Sequence, residues 1–322
     1  MARFLIRRVC FAIVLLVCTS SAALFLTRLA PGDVTSQLGP FAPRAEVEAA
    51  RIRFGLDRSP IVQWGSWVSR AVRLDFGDSF LYNRPVGPLV VRAAGNTAVL
   101  AVSALVVATV VGIGLGIFTG SRRAGWLSTC VRGASLMFIS VPPLLMSLML
   151  VFVAARTRWL PTGGMLSAGT IDASWWAHVA DVAWHLVLPT LALALPIAAA
   201  FERLQSQSMS EAVGQPFLVA AIARGVPRSS LVWRHAWPVS IRPICGVYGL
   251  VIGSLLSGSF IVEFVTAWPG IGRLMYEALR ARDIYLVSAC AAAGAGFLAL
   301  GTMLGDLLLA AADPRVREDL DA

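Results

Sequence analysis

The stretch FLVAAIARGVPRSSLVWRHAWPVSIRP (Phe217–Pro243) is basic and broken by turn residues, yet it lies between two long apolar runs. Its spacing predicts a short helix over 217–224 and a turn at Gly225. Pro227 then starts a second helix, because its missing N–H would be unpaired in a first turn anyway. That helix continues over Ser229–Trp237 until Pro238 ends or kinks it. The same spacing suits a DNA-reading helix–turn–helix, with Ala221, Gly225 and Leu231 at the small, turn and core positions. A unit tied at both ends to apolar spans can hardly enter a major groove. Phe217, Leu218, Leu231 and Val232, flanked by Arg224, Arg228 and Arg234, fit a knob that docks into a groove on a protein partner. A solvated loop is the plainer alternative, but it leaves a helix start placed directly after a glycine unexplained.

The surroundings of the knob are apolar. Of the 322 residues 57% are hydrophobic and 14% charged, with a mean hydropathy of +0.74; soluble domains carry about 25% charged residues. Six runs approach or reach the length needed to cross ~30 Å of hydrocarbon: Val9–Leu29, Thr97–Gly120, Ala134–Ala155, Leu186–Phe201, Cys245–Val265 and Val287–Ala312. The fourth is short and carries Pro189 and Pro196. The reading is an all-α polytopic membrane protein with six transmembrane helices in a lipid bilayer.

Arginines set the orientation. Arg3, Arg7, Arg8, Arg122, Arg123, Arg132, Arg203, Arg224, Arg228, Arg234, Arg242, Arg315 and Arg317 fall on one side. The short loops opposite hold Arg156, Arg158, Arg273, Arg280 and Arg282. Both termini and the knob are therefore expected in the cytoplasm. The first run could also be read as a cleaved signal peptide, but it is long for one, and its removal would put the two ends on opposite sides.

Glycines at four-residue spacing predict close helix packing: Gly112, Gly116 and Gly120, then Gly249 with Gly253 and Gly301 with Gly305. Pro142 and Pro143 interrupt the third run, and a break there needs neighbours to satisfy the freed carbonyls. Asp306, inside the last run, is either a pathway group or a structural carboxylate held within the bundle. Glu263, ahead of Trp268-Pro269-Gly270, is a gate candidate with Arg273 or a member of an ordinary pair. Glu202 reads as solvated. Segment 30–96 mixes eight arginines with six acids, so it reads as folded or docked; Ile61, Trp64, Trp67 and Val68 fit an amphipathic helix on the outer membrane face or against a partner.

All 27 basic residues are arginine, and there is no lysine. A Walker loop needs a lysine on the β/γ phosphates, so this chain cannot carry one. Neither a Gly-x-Ser-x-Gly elbow nor a metal motif is present, and the five cysteines are scattered. No cofactor is expected, and the chain reads as a non-enzyme.

The knob resembles the coupling loop of the membrane subunits of ATP-binding-cassette importers, whose pattern is Glu-Ala-Ala, three residues, then Gly. Here Val219-Ala220-Ala221 and Gly225 hold those positions. The peptide and nickel importer branch is most similar, through Ala221–Val226 and Arg234-His235-Ala236-Trp237-Pro238. Ordered fragments extend the resemblance over nearly the whole chain: RLAPGD (Arg28–Asp33), FGLDRSPIVQW (Phe54–Trp64), RPV (Arg84–Val86), WLPTGG (Trp159–Gly164), HLVLPTLAL (His185–Leu193), SGSFIVEFVTAWPGIGRL (Ser257–Leu274), RDIYLV (Arg282–Val287) and DPRVR (Asp313–Arg317).

The resemblance implies the type I ABC importer permease fold. It divides the chain into a first span (1–30), an external segment (31–93), a five-helix core (94–312) containing the coupling loop (202–244), and a tail (313–322). It also implies two separate ATPase subunits, a second related permease subunit and an external solute-binding protein, with no nucleic acid. The implied coupling residues are Phe217, Ala220, Ala221, Arg224, Gly225, Arg234 and His235. Pathway or gate candidates are Pro142, Pro143, Glu263, Trp268 and Asp306. Val219 and Ile222 depart from the polar residues usual in the branch, and Pro227 replaces a capping serine. Cargo would be peptides or nickel-like solutes. The rival classes are an ion-coupled carrier, which would place ionisable groups deep in several spans, and a membrane-tethered regulator that binds DNA.

Overall fold

The computed structural model describes residues 2–29, 43–53, 57–121, 125–167, 169 and 174–312. Arg122 and Arg123, the 30–33 part of RLAPGD, the 54–56 part of FGLDRSPIVQW and the 313–322 tail lie outside the described residues. The described chain folds as helices: α1 (Ala2–Leu29), α2 (Arg44–Arg53), α3 (Pro60–Ala71), α4 (Val86–Ser121), α5 (Trp126–Ser140), α6 (Pro143–Thr157), α7 (Trp175–Val213), α8 (Pro216–Ala223), α9 (Arg228–Ser230), a π-helical segment (Leu231–Ala236), α10 (Trp237–Ser240), α11 (Arg242–Val265), α12 (Ile271–Ala281) and α13 (Ile284–Ala312). Five of them, α1, α4, α7, α11 and α13, are long and apolar enough to cross a membrane.

The third expected span is not one straight helix. α5 and α6 meet at 108°. Each residue before a proline is pushed out of the helical region: Val141 sits at φ −92°, ψ 117° and Pro142 at φ −59°, ψ 149°. Pro143 then opens α6, where a missing N–H is harmless. The fourth span is longer than its apolar core suggested. α7 runs for 39 residues straight through Pro189 and Pro196. Each proline removes one ladder bond, but Leu188, Pro189, Ala192, Leu193 and Ala194 are buried, so packing holds the helix across the breaks.

Two compact units organise the chain. One comprises Met1–Phe4, Val99–Trp268 and Leu300–Ala322. In it, the glycine stripe of α4 lies directly against α7. A Cβ on Gly112 would stand 2.6 Å from the Ala198 carbonyl, one on Gly116 2.5 Å from Gln205 Cβ, and one on Gly120 2.4 Å from the Ser206 carbonyl. The second glycine pattern behaves alike: a Cβ on Gly305 would meet Gly249 Cα at 2.5 Å, and one on Gly301 would meet Ile252 at 2.2 Å. Only residues without side chains permit these seams between α4 and α7 and between α11 and α13.

The second unit comprises Leu5–Ala98 and Pro269–Ala299. Its core joins Leu24, Trp67, Phe80, Val86, Val90, Ile271, Tyr285 and Leu286. The expected amphipathic helix is α3: Trp67 is buried, Trp64 and Val68 pack beside it, and Ile61 faces outward. Trp64 Nε1 donates to Ser21 Oγ at 2.7 Å and so ties α3 to α1.

Candidate functional site

The knob is built from α8, a turn, α9, the π segment and α10. Its turn satisfies two of the carbonyls that the end of α8 would otherwise leave open. Gly225 N–H donates to the Ile222 carbonyl at 2.9 Å and Val226 N–H to the Ala221 carbonyl at 3.2 Å. This is the Schellman pattern, which needs a left-handed residue in the middle; Gly225 has φ +79°. No atom lies within 4 Å of where its Cβ would be, so conformation and not crowding selects glycine there.

The second arm does not stop at Pro238. Pro238 has no N–H to offer four residues back, and the helix absorbs this by widening just before it. Trp237 N–H donates to the Val232 carbonyl, five residues back, and Ile241 N–H to Trp237 returns the ladder to four. Such π segments carry one surplus residue per widened turn.

The knob is rooted in the first unit. Leu218, Ala221, Leu231 and Ala236 form a core with Ile117 of α4 and with Met209 and Ala212 of α7. Burying each leucine contributes about 1.5–3 kcal/mol. Gln205 Nε2 donates to Ser240 Oγ at 2.9 Å, both buried. Arg228 Nη2 donates to the Ser121 carbonyl at 2.9 Å and so caps the last described turn of α4. A groove of about 710 Å³ runs beside the knob between Gly120, Val213, Ile222 and Val232.

This rooting changes the face expected to dock. Leu218 is 2% exposed and Leu231 9%, so two of the four expected anchors belong to the internal core. Ala221 is buried with them. The outward face carries Phe217 (47% exposed), Val219, Ala220, Ile222 (55%), Arg224, Trp233, Arg234 and His235. Ile222 and Val219, the two departures from the branch pattern, thus add apolar surface where a partner would sit. The helical pattern gave the two faces of α8 but not which of them turned inward.

The other candidates are scattered through the unit. Pro142 is exposed at the α5/α6 bend; Pro143 packs near Gly258 of α11. Glu263 and Trp268 are fully buried at the end of α11 and just beyond it. There the WLPTGG loop closes on the chain: Gly164 N–H donates to the Thr266 carbonyl at 2.8 Å, and a Cβ on Gly163 would meet the same oxygen at 2.7 Å. Asp306 is half-buried, next to the Gly249–Gly305 seam. Arg273 Nε, in the second unit, donates to Glu277 within its own helix at 3.0 Å.

Glu202 is not solvated; it is 1% exposed. Its Oε1 accepts from Thr119 Oγ1 at 2.6 Å, and Arg132 Nη2 donates to the Thr119 carbonyl at 3.0 Å. α4, α5 and α7 are thereby pinned at one level. The glycine at 116 made this possible by letting α4 approach, a link that sequence spacing did not reveal.

Comparison with known proteins agrees with this architecture. Residues 112–318 match the family described as "Binding-protein-dependent transport system inner membrane component", and residues 1–80 match its N-terminal companion. The oligopeptide transport system permease protein OppB of Mycobacterium tuberculosis is 31% identical over 98% of this chain and 99% of its own length. The oligopeptide permease AppB of Bacillus subtilis is 27% identical over 98% and 99%. The chain belongs to the binding-protein-dependent transport system inner membrane component family. It is a multi-pass permease subunit of an ABC importer, in the peptide branch.

Proposed function

We propose that this chain forms half of the translocation pathway of an ATP-driven importer for di- or oligopeptides and is worked through residues 217–238 by separate ATPase subunits. The observation that carries this reading is the knob itself: its root is buried against α4 and α7, while its tip presents Phe217, Val219, Ile222 and Trp233 ringed by Arg224 and Arg234. An apolar face with a cationic rim is a docking surface, and a rigid root transmits displacement to the helices that hold it.

The working complex consists of this chain, a second permease subunit, two ATPases and an external binding protein, in the inner membrane with both termini cytoplasmic. ATP hydrolysis takes place on the partners, since this chain has no lysine for a Walker loop. Pro142, Pro143, Glu263, Trp268 and Asp306 remain candidates for the pathway or its gate. Nickel-like solutes are the alternative cargo. The test is uptake of labelled peptides into liposomes holding the whole complex: uptake that requires ATP and the binding protein supports the reading. Uptake driven by an ion gradient with this chain alone would replace it with an ion-coupled carrier.

A further inference from the structure

A polar pocket of about 640 Å³ opens in the second unit between α3, the turn around Gly77–Asn83 and the start of α13. Arg70 lines it. The guanidinium lies over the Tyr285 ring, 5.2 Å from the centroid. Gly77, at φ +81°, leaves room behind it; a Cβ there would be 3.3 Å from Arg70 Nη1. An arginine laid on an aromatic ring is held in one arrangement with its donors turned outward, and that planar fork matches a carboxylate.

No acid of the protein answers it. Among the described residues neither Arg70 nor Arg58, which also lines the pocket, forms an ion pair, and Asp78, likewise lining it, forms none. The side chains of Ser69 and Asn83 make no hydrogen bond to a described residue. Two carboxylates elsewhere in this unit are matched: Asp283 takes four donors, and Glu277 takes Tyr82 and Arg273. The pocket therefore gathers unmatched charge of both signs, two guanidiniums and one carboxylate, in a volume typical of small-ligand sites.

We propose that this pocket binds a short zwitterionic peptide, its C-terminal carboxylate on Arg70 and Arg58 and its N-terminal ammonium toward Asp78. The site rests on the peptide reading given above and adds to it a contact on the segment between the first two spans.

The test titrates the purified full-length chain with tri-alanine, its C-terminal amide and its N-acetyl form, followed by ligand-observed NMR. Tri-alanine binds, and each blocked form binds about ten-fold more weakly or worse, the loss expected for a charge-assisted hydrogen bond. Arg58→Gln alters an exposed side chain without internal contacts, so it folds and weakens tri-alanine about ten-fold. Arg70→Gln does the same, and Arg70→Lys, which keeps the charge but not the fork, falls between. Equal affinity for the amide, or unchanged binding in both glutamine variants, overturns the proposal. So does an Arg58→Gln that weakens association with the binding protein when no peptide affinity is measurable, because the carboxylate would then come from that protein. Uptake by the complete complex is measured in parallel. Uptake without binding here removes only this site; absence of ATP-driven peptide uptake removes the reading beneath it as well.

Discussion

Asp283 accepts the hydroxyl hydrogen of Ser79 at 2.6 Å, across 204 positions of the chain. The same carboxylate oxygen takes the Phe80 N–H at 2.6 Å and the Leu81 N–H at 3.2 Å, and the other oxygen takes the Leu286 N–H at 3.1 Å in the first turn of α13. Burial pushes this carboxyl above the usual carboxylate range, against the opposing pull of the Ser79 hydroxyl and the three backbone donors. One side chain thus closes the turn after α3 onto the start of α13. Asp283→Ala strands these donors and is expected to lower stability by about 3 kcal/mol or more. Ser79→Ala removes the hydroxyl's bond to this carboxylate, about 1.5–3 kcal/mol, together with the Tyr82 N–H bond that the same hydroxyl accepts at 3.1 Å. Thermal unfolding in detergent should rank wild type above Ser79→Ala above Asp283→Ala; equal midpoints would show that the contact contributes nothing.

Gly225 allows folding and the proposed coupling to be tested separately. Its surroundings are open, so Gly225→Ala costs only the left-handed backbone, about 1 kcal/mol. Gly225→Asp tolerates that backbone somewhat better but puts a carboxylate on the proposed docking face. The expected outcome is normal membrane insertion and monodispersity for both variants, with peptide uptake and complex-stimulated ATPase activity abolished in Gly225→Asp. Unchanged uptake in that variant would count against the knob as the coupling element.

The α4/α7 seam is sensitive to a single methyl. Gly116→Ala places a carbon 2.5 Å from Gln205 Cβ and 2.8 Å from the Glu202 carbonyl. Overpacking of this kind costs about 1–3 kcal/mol, and parting the helices breaks the Thr119–Glu202 hydrogen bond. Gly114 on the same helix has nothing within 4 Å of its Cβ position, so Gly114→Ala is the matched control and should melt near wild type. Equal midpoints for the two variants would contradict the packing.

Tyr82 gives a pH signature. Burial, and then its hydrogen bond to Glu277 at 2.5 Å, push its phenol up to about 12. The folded pKa is raised, so the stabilisation from this contact is fully present below pH ~10, the ordinary tyrosine value. It fades as pH climbs through about 12. Absorbance titration of phenolate should show a late-ionising component that is lost in Tyr82→Phe and moves earlier in Glu277→Gln. A titration of Tyr82 at the ordinary value would refute the contact.

Much of this was legible locally. Glycines four apart on α4 announced a seam because a helix brings such residues to one face, and glycine followed by proline announced the two arms of the knob. Distance hid the rest. Ser79 and Asp283 carry no mutual sign in a linear chain. Leu218 and Leu231 sat on the correct stripes, but whether a stripe meets a partner or its own bundle depends on where Met209 and Ile117 arrive. Pro142 and Pro189 illustrate the same limit: two adjacent prolines turned the backbone through 108°, while isolated prolines inside the buried helix α7 did not interrupt it.

The widened turn at Leu231–Ala236 has a geometric corollary. One surplus residue in a helix shifts the azimuth of all that follows by about 100°, so the outward rim at Arg234 and the entry to α11 at Arg242 are phased by that insertion. Excising one residue there would remove the widened turn, set the Pro238 ring against the carbonyl four residues back, and rotate the knob relative to α11.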